Sequence, residues 1–257
     1  MAQPHKTSEH EWGKRPAAIV TGGARRVGRA ICLGLADAGY DIVTTFRTRP
    51  TEAAETVRLC MAKGVNARAQ RLDMRDARAV EKQGRKWSKE MARVDALVHN
   101  ASVYEATPMG RITAEACREH FEVNAMGPVL LTQALAGALG EARGCVVMMC
   151  DMHALGAGGR SRRRYAAYAM SKAALAEMVG TLARELGPKV RVNGIAPGVV
   201  AWPDKVDQRE VRKYEARIPL GRPGRPEDAA AAVVFLVRDG RYVNGDIVRV
   251  DGGRFFG

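Results

Sequence analysis

A tyrosine and a lysine stand four positions apart in the Ala-rich run Tyr168-Ala-Met-Ser-Lys172. Such a run favours helix, and an i, i+4 pair shares one helical face. An ammonium held beside a phenol favours the phenolate, so the tyrosine becomes a proton donor or acceptor usable near neutral pH. Alone the spacing says little, because solvated helix faces carry such pairs by chance. It gains weight from a glycine loop near the chain start, Thr21-Gly22-Gly23-Ala24-Arg25-Arg26-Val27-Gly28. Gly22, Gly23 and Gly28 allow a tight turn from a strand into a helix whose N-terminus can approach a pyrophosphate. The bland alternative for the loop is a plain strand-to-helix turn. A nucleotide site and a tunable acid in one chain point to hydride transfer coupled to proton transfer.

These groups need elements to position them. Short apolar runs alternate with amphipathic stretches along the chain, the pattern of βαβ units and a parallel sheet. Strands are expected at Ala17–Val20, Asp41–Phe46, Ala67–Leu72, Ala96–Val98, Cys145–Met149, Val190–Ile195 and Asp246–Val250. Helices are expected at Val27–Ala38, Glu52–Lys63, Ala77–Met91, Ala116–Leu139, Tyr165–Leu186 and Pro226–Val237. No repeat or Pro/Ser-rich linker divides the chain. The expectation is a flexible polar N-terminus, residues 1–14, followed by one doubly wound α/β Rossmann domain, residues 15–257, with a mainly parallel seven-stranded sheet. Asp151–Arg164 and Pro197–Arg225 read as irregular, and loops after strand C-terminal ends are where open α/β sheets bind ligands.

The second strand bears on the cofactor. Where a fold selecting NAD places an acid, this chain reads Phe46-Arg47-Thr48-Arg49. An arginine there can pair with a 2′-phosphate, and without a carboxylate the ribose diol has no acceptor, so NADPH is favoured over NADH.

Bulk properties exclude more than they assign. The 257-residue chain carries a net charge of +13. Its basic residues are interleaved with acids and aromatics are few, so attraction for anionic ligands explains the charge better than nucleic-acid binding. No stretch of about 18 apolar residues is present, so no membrane span is expected. Met1 to Lys14 lacks the apolar segment of a secretory signal. Five scattered cysteines without a Cys-x-x-Cys pair read as reduced, mostly buried thiols of a cytoplasmic protein. His5, His10, His99, His120 and His153 show no metal-binding spacing. Ser171 lies near no plausible histidine base, which leaves nucleophilic hydrolysis without support.

From Ala17 to Gly253 the chain resembles the short-chain dehydrogenase/reductases. The resemblance is carried by the Thr21–Gly28 loop, Asp73 after the third strand, and His99-Asn100-Ala101-Ser102 where that family shows Asn-Asn-Ala-Gly. Asn124 in Val-Asn-Ala, Tyr168 with Lys172, Pro197-Gly198, and Asp251-Gly252-Gly253 complete it. The resemblance implies that Tyr168 donates the proton and that Lys172 lowers its pKa and holds the nicotinamide ribose. It implies that Asn124 braces a proton-relay water and Asp73 holds the adenine amino group. The implied cofactor groove also includes Gly22, Arg25, Arg26, Val27, Gly28, Arg47, Thr48, Met74, Asn100, Ala101, Ser102, Pro197 and Gly198.

Three departures from the family point one way. Arg26 replaces the usual middle glycine of the loop. Met148-Met149-Cys150-Asp151 places an aspartate where most members have a serine that orients a substrate carbonyl. Tyr104 sets an aromatic ring just past the cofactor groove. An ionised Asp151 accepts hydrogen bonds and repels a ketone oxygen, so it suits a substrate with N–H groups. Tyr104 offers a stacking face for a flat heterocycle. Jointly these residues resemble the pteridine reductases, especially the bacterial dihydromonapterin reductases, in which a pterin lies between the nicotinamide and an aromatic ring. Each has a bland reading too: phosphate binding for Arg26, a turn cap for Asp151, packing for Tyr104.

One spacing is unusual: Asp151 precedes Tyr168 by 17 positions (168 − 151), and the excess falls in the Gly/Arg-rich Gly156–Arg164. That loop is either a surface excursion or a receptor, through Arg160 and Arg162–Arg164, for an anionic substrate tail. Tyr165 lacks a lysine four positions on and is a decoy. The expected activity is NADPH-dependent reduction of a dihydropterin, with Tyr168, Lys172, Asp151 and Asn124 catalytic and Arg26, Ser102, Tyr104, Asp151 and Tyr168 contacting substrate. The alternatives are a carbonyl reductase acting on a 3-oxoacyl thioester, sugar or secondary alcohol, and a nucleotide-binding scaffold without chemistry. The helices near 116–139 and 165–186 resemble the surfaces this family uses to form homotetramers.

Overall fold

The computed structural model describes residues 12–91, 93–155, 164–200 and 207–256. Residues 1–11 of the polar N-terminus, and Arg160, Arg162 and Arg163, lie outside the described residues. Seven strands form one sheet: β1 (Ala17–Val20), β2 (Asp41–Phe46), β3 (Ala67–Arg71), β4 (Ala96–His99), β5 (Cys145–Met149), β6 (Arg191–Pro197) and β7 (Ile247–Val250). Their order is β3-β2-β1-β4-β5-β6-β7. Every pairing among the described strands is parallel, as the mainly parallel sheet expected from the sequence requires. The central strands β1, β4 and β5 are buried at every residue, as unbroken apolar runs demand when both faces of a sheet are covered. Edge strand β3 carries Arg68, Gln70 and Arg71 and is only partly covered.

Among the described residues, eight helices flank the sheet: α1 (Arg26–Asp37), α2 (Pro50–Met61), α3 (Ala77–Glu90), α4 (Ala114–Phe121), α5 (Gly127–Glu141), α6 (Ala166–Leu186), α7 (Gln208–Glu215) and α8 (Pro226–Val234). Val80 and Trp87 of α3, Leu131 and Leu135 of α5, and Leu175 and Val179 of α6 fill the core on one face. Ile31 and Leu35 of α1 and Ala229 and Val233 of α8 fill the other. Each large apolar side chain buried this way contributes about 1.5–3 kcal/mol. The chain reverses its winding between β1 and β4, and their C-terminal ends diverge into a crevice there.

Two elements differ from expectation. The single helix foreseen at Ala116–Leu139 is divided by one widened turn, Glu122–Met126, which holds Asn124. Such a turn is a common device at functional sites, because it re-aims a side chain without ending the helix. Ala114–Glu141 is also the one stretch among the described residues long and apolar enough to cross a membrane, and 56% of its most apolar window is buried inside the protein. Within Pro197–Arg225, read as irregular, α7 forms after an N-cap in which the Asp207 side chain accepts from Arg209 N. Its sequence, Gln-Arg-Glu-Val-Arg-Lys-Tyr-Glu, offers only Val211 and Tyr214 as apolar marks, too few for a periodic signal.

Candidate active site

Hydrogen bonds between the ends of β1 and β4 close the floor of the crevice. Thr21 N donates to Val98 O at 2.9 Å. Thr21 Oγ1 accepts from Asn100 N and Ala101 N, both at 3.0 Å. Asn100 Nδ2 donates to the carbonyls of Thr21 and Gly22 at 3.0 Å each. Gly22 has φ +69°, and a Cβ there would meet Ala101 Cα at 2.9 Å; one at Gly28 would meet Gly22 O at 2.3 Å. Arg29 ties this loop to α2, donating to Thr56 Oγ1 at 2.9 Å and to the carbonyls of Ala24 and Glu52 at 2.9 and 3.0 Å.

At the head of α1, Arg25 is the N-cap without a side-chain capping bond, and the first turn holds no acid. Arg26 adopts φ +51°, the left-handed conformation the family supplies with glycine. Two guanidinium groups therefore flank a helix N-terminus whose first amides lack intrahelical partners, a favourable place for an anion. The glycine cradle, the cations and the crevice fit the pyrophosphate of a dinucleotide.

A cleft of about 1460 Å³ opens from this loop. Of the residues expected in the site, Gly22, Arg25, Arg26, Val27, Gly28, Arg47, Asp73, Met74, Asn100, Ala101, Ser102, Tyr104, Asp151, Tyr168 and Gly198 line it. Thr48, Pro197, Lys172 and Asn124 do not line it. Asp73 is gripped by Arg75, whose Nη2 lies 2.6 Å from Asp73 Oδ2. That guanidinium holds the Asp73 carboxyl below the usual carboxylate range. The Asp73 carboxylate is thus already engaged by Arg75 within the protein.

Tyr168 lies in the first turn of α6, and its hydroxyl donates to Asp151 Oδ2 at 2.9 Å. Asp151 Oδ1 accepts from His153 N at 2.7 Å. Asp151 is therefore both a turn cap and the partner of the proton donor. One turn further, Lys172 is buried; its Nζ donates to Met149 O at 2.7 Å and lies 5.9 Å from the Tyr168 ring centroid. Burial pushes the Lys172 pKa down, with Cys150 and the Asp151 carboxylate opposing. A cation this close to the phenol stabilises its phenolate form.

Asn124 departs from its expected role. Its Oδ1 accepts from Val103 N at 2.9 Å and Ser102 Oγ at 3.0 Å, and its Nδ2 donates to Val103 O at 3.0 Å and Ser171 Oγ at 2.9 Å. The side chain is fully buried and fully used, so it ties the segment after β4 to α6 and is not available to brace a water. Tyr104 also differs from expectation. Its ring stacks on Tyr165 (centroids 4.6 Å apart, interplanar angle 10°) and meets Tyr168 edge-wise at 4.7 Å. Tyr165, a decoy as acid, is thus part of the aromatic wall, and one face of Tyr104 is covered.

His99, in the first position of its motif, is buried. Its Nε2 lies 2.8 Å from Thr132 Oγ1, and burial, with the Lys172 charge, pushes its pKa down to about 3. It is a neutral core group. Sequence reasoning missed the wall formed by Lys213, Tyr214, Arg217 and Arg254, which line the same cleft. The polar stretch around α7 gave no signal for the first three, and the sequence marks Arg254 only as the end of Asp251-Gly252-Gly253-Arg254, a motif similar to the dihydromonapterin reductases, and not as a cleft residue.

Fold, crevice and Tyr168–Lys172 pair together define a nicotinamide-dependent oxidoreductase of the short-chain type. The family profile described as enoyl-(acyl carrier protein) reductase matches residues 22–254, and the chain belongs to this short-chain dehydrogenase/reductase family. An uncharacterized oxidoreductase of Methylorubrum extorquens is 33% identical, over 92% of this chain and 96% of its own. A 3-oxoacyl-[acyl-carrier-protein] reductase of Synechocystis is 30% identical, over 92% and 95%. Among solved structures, acetoin dehydrogenase from Salmonella typhimurium superposes with a TM-score of 0.82 at 28% identity, covering 95% of this chain and 97% of that one.

Proposed function

We propose that the cleft binds NADPH and that the protein reduces the C=N bond of a dihydropterin to the tetrahydro form. The observation that carries this reading is the Asp151 carboxylate, 2.9 Å from the Tyr168 hydroxyl in the cleft. An ionised carboxylate only accepts hydrogen bonds. It turns away a ketone oxygen and receives the N–H edge of a heterocycle. Arg26, on the loop across the cleft, offers donors to the heterocycle's acceptors, and the exposed parts of Tyr104 and Ser102 complete the substrate contacts. When bound, the cofactor supplies the hydride. Tyr168 turns its O–H from Asp151 to the ring nitrogen and gives up that proton, and Lys172 stabilises the phenolate left behind. Arg47, standing where an NAD-selecting acid would be, takes the 2′-phosphate. Assembly as a homotetramer belongs to this reading and is checked by light scattering.

A second reading, reduction of a carbonyl, is favoured by the likeness to a 3-oxoacyl-[acyl-carrier-protein] reductase. NADPH oxidation is to be compared for dihydromonapterin, dihydrobiopterin and an acetoacetyl thioester, with wild type and Asp151→Ser. Faster turnover of the dihydropterins by wild type, lost in Asp151→Ser, is expected. Turnover of the thioester alone by wild type overturns the pterin reading in favour of the carbonyl one.

A further inference from the structure

We infer that Thr107 is a positioning residue for the proton donor: from the segment after β4, its hydroxyl oxygen caps the helix that carries Tyr168. The inference rests on Tyr168 being the proton donor, but it is indifferent to the substrate and to whether the reacting bond is C=N or C=O.

The local sequence sets the conformation. Thr107 precedes Pro108, and a residue before proline is pushed out of the helical region into extended backbone. Gly110 (φ +85°) and a bond from Arg111 N to Pro108 O, 2.9 Å, then turn the chain toward α4. Extended Thr107 forms a single parallel bridge with Tyr165, at the head of α6. Its N–H donates to Arg164 O at 2.6 Å, and its Oγ1 accepts from Ala167 N at 3.0 Å. Only 5% of Thr107 is exposed.

Ala167 is the second residue of α6, so its amide has no carbonyl partner within the helix. An oxygen on the N-cap side chain ordinarily receives such an amide. Here the N-cap is Tyr165, which makes no side-chain cap bond and whose ring is stacked on Tyr104. Thr107 supplies the oxygen instead, from 60 positions earlier in the chain. The chain enters α6 through Arg164 in the left-handed region (φ +69°), a conformation that costs a residue with a Cβ and persists only where contacts hold it. The Thr107 N–H on the Arg164 carbonyl is such a contact.

The residue next to this cap is Tyr168, whose hydroxyl reaches Asp151 Oδ2 at 2.9 Å. On its far side, Ser171 Oγ donates to Tyr168 O at 2.8 Å and accepts from Asn124 Nδ2 at 2.9 Å. Asn124 also holds the N–H and carbonyl of Val103. The stretch from Val103 to Thr107 and the first turns of α6 are thereby locked together, with the phenol between the two grips. That phenol oxygen ends a long side chain, so a small rotation of its turn displaces it, and a misplacement of about 1 Å costs roughly 100-fold in rate.

The test compares Thr107→Val, which keeps the shape and removes the hydroxyl, with Thr107→Ser, which keeps the hydroxyl. Turnover of a dihydropterin or an acetoacetyl thioester, whichever wild type reduces, is measured at saturating cofactor, and thermal unfolding is followed separately. Thr107→Val is expected to lower kcat roughly tenfold or more with KM for the cofactor unchanged. It is also expected to lower Tm by roughly 2–4 °C, the size of a lost cap. Thr107→Ser is expected to stay near wild type in kcat. An unchanged kcat in Thr107→Val, even with a lower Tm, means a cap that only stabilises and overturns the proposal. A serine variant as slow as the valine variant overturns it too. If Thr107→Val does not fold, Thr107→Ala takes its place, since alanine and serine differ by that one oxygen. If wild type reduces neither substrate, the substrate reading fails on its own, and the position is read from crystal structures. A phenol in contact with Asp151 in wild type and Thr107→Ser, but displaced in the variant without the hydroxyl, sustains the proposal. A phenol that has not moved overturns it.

Discussion

Arg26→Gly is expected to make the protein more stable and less active. Arg26 holds φ +51°, and a left-handed residue bearing a Cβ costs about 1–2 kcal/mol. It also sits at the head of α1, where a cation opposes the helix dipole by about 0.3–1 kcal/mol. Glycine removes both penalties and introduces about 0.5–1 kcal/mol of backbone entropy in the unfolded chain. The balance favours the variant by about 1 kcal/mol, a rise of roughly 2–4 °C in Tm for a chain of this size. Arg26→Ala removes the charge but keeps the Cβ in left-handed backbone, so it separates the two effects and is expected to fall below glycine. Thermal and urea unfolding of cofactor-free protein measure stability, and steady-state kinetics measure function. Loss of one charge-assisted hydrogen bond to substrate or phosphate lowers kcat/KM by roughly tenfold or more. If glycine proves no more stable than alanine, the strain argument is wrong. If kcat/KM is unchanged, the arginine does nothing in the cleft.

Three further outcomes follow from the geometry. Tyr168→Phe removes the O–H that donates to Asp151; the fold is expected to lose only about 1 kcal/mol while turnover falls by about 10²–10⁴, and full activity in steady-state assays refutes its role as proton donor. Arg47→Asp is expected to lower kcat/KM for NADPH at least tenfold relative to NADH, about the value of a charge-assisted contact, and an unchanged ratio refutes the 2′-phosphate assignment. Burial holds the Lys172 pKa below its ordinary 10.5, so the unfolded chain binds that proton more tightly than the folded one. The cost of the buried ammonium is therefore fully present below the folded pKa and fades as pH rises toward the ordinary lysine value. Lys172→Met lacks this term, so urea unfolding from about pH 7 to about pH 10 is expected to show wild type gaining stability relative to the variant; a pH-independent difference refutes it.

The frame was legible because parallel central strands must be apolar throughout. β1 and β5 lie where the runs Ala17–Val20 and Cys145–Met149 place them. The cofactor crevice was legible for a related reason: Gly22 and Gly28 stand where a Cβ would strike backbone. What sequence could not supply were contacts set by tertiary packing. The widened turn at Asn124 leaves the apolar period of its helix nearly intact, so nothing marks it. The Tyr104–Tyr165 stack joins residues 61 positions apart (165 − 104) across the cleft wall, and no local pattern predicts it. α7 is polar on nearly every side and packs through Val211, which hid both the helix and the basic wall that it carries. Asp151 was read as either a cap or a site residue, and its two oxygens do both.

Arg26 and Asp151 break local rules within one cleft. One is a side chain in backbone suited to glycine, the other a carboxylate beside a proton donor that works best as a phenolate stabilised by cations. Rules are broken together where a ligand compensates for both. The two groups carry opposite charge, so under the proposed function one ligand offers acceptors to Arg26 and donors to Asp151, as the amide and amine edges of a pterin do and a simple ketone does not. Restoring the family's glycine and serine in Arg26→Gly/Asp151→Ser removes both demands at once. The double variant is expected to lose dihydropterin turnover by more than either single change and to gain on an acetoacetyl thioester, because a serine hydroxyl can donate to a carbonyl oxygen. Strictly additive losses without any gain on the thioester would show that the two residues serve separate ends and that no single ligand spans them.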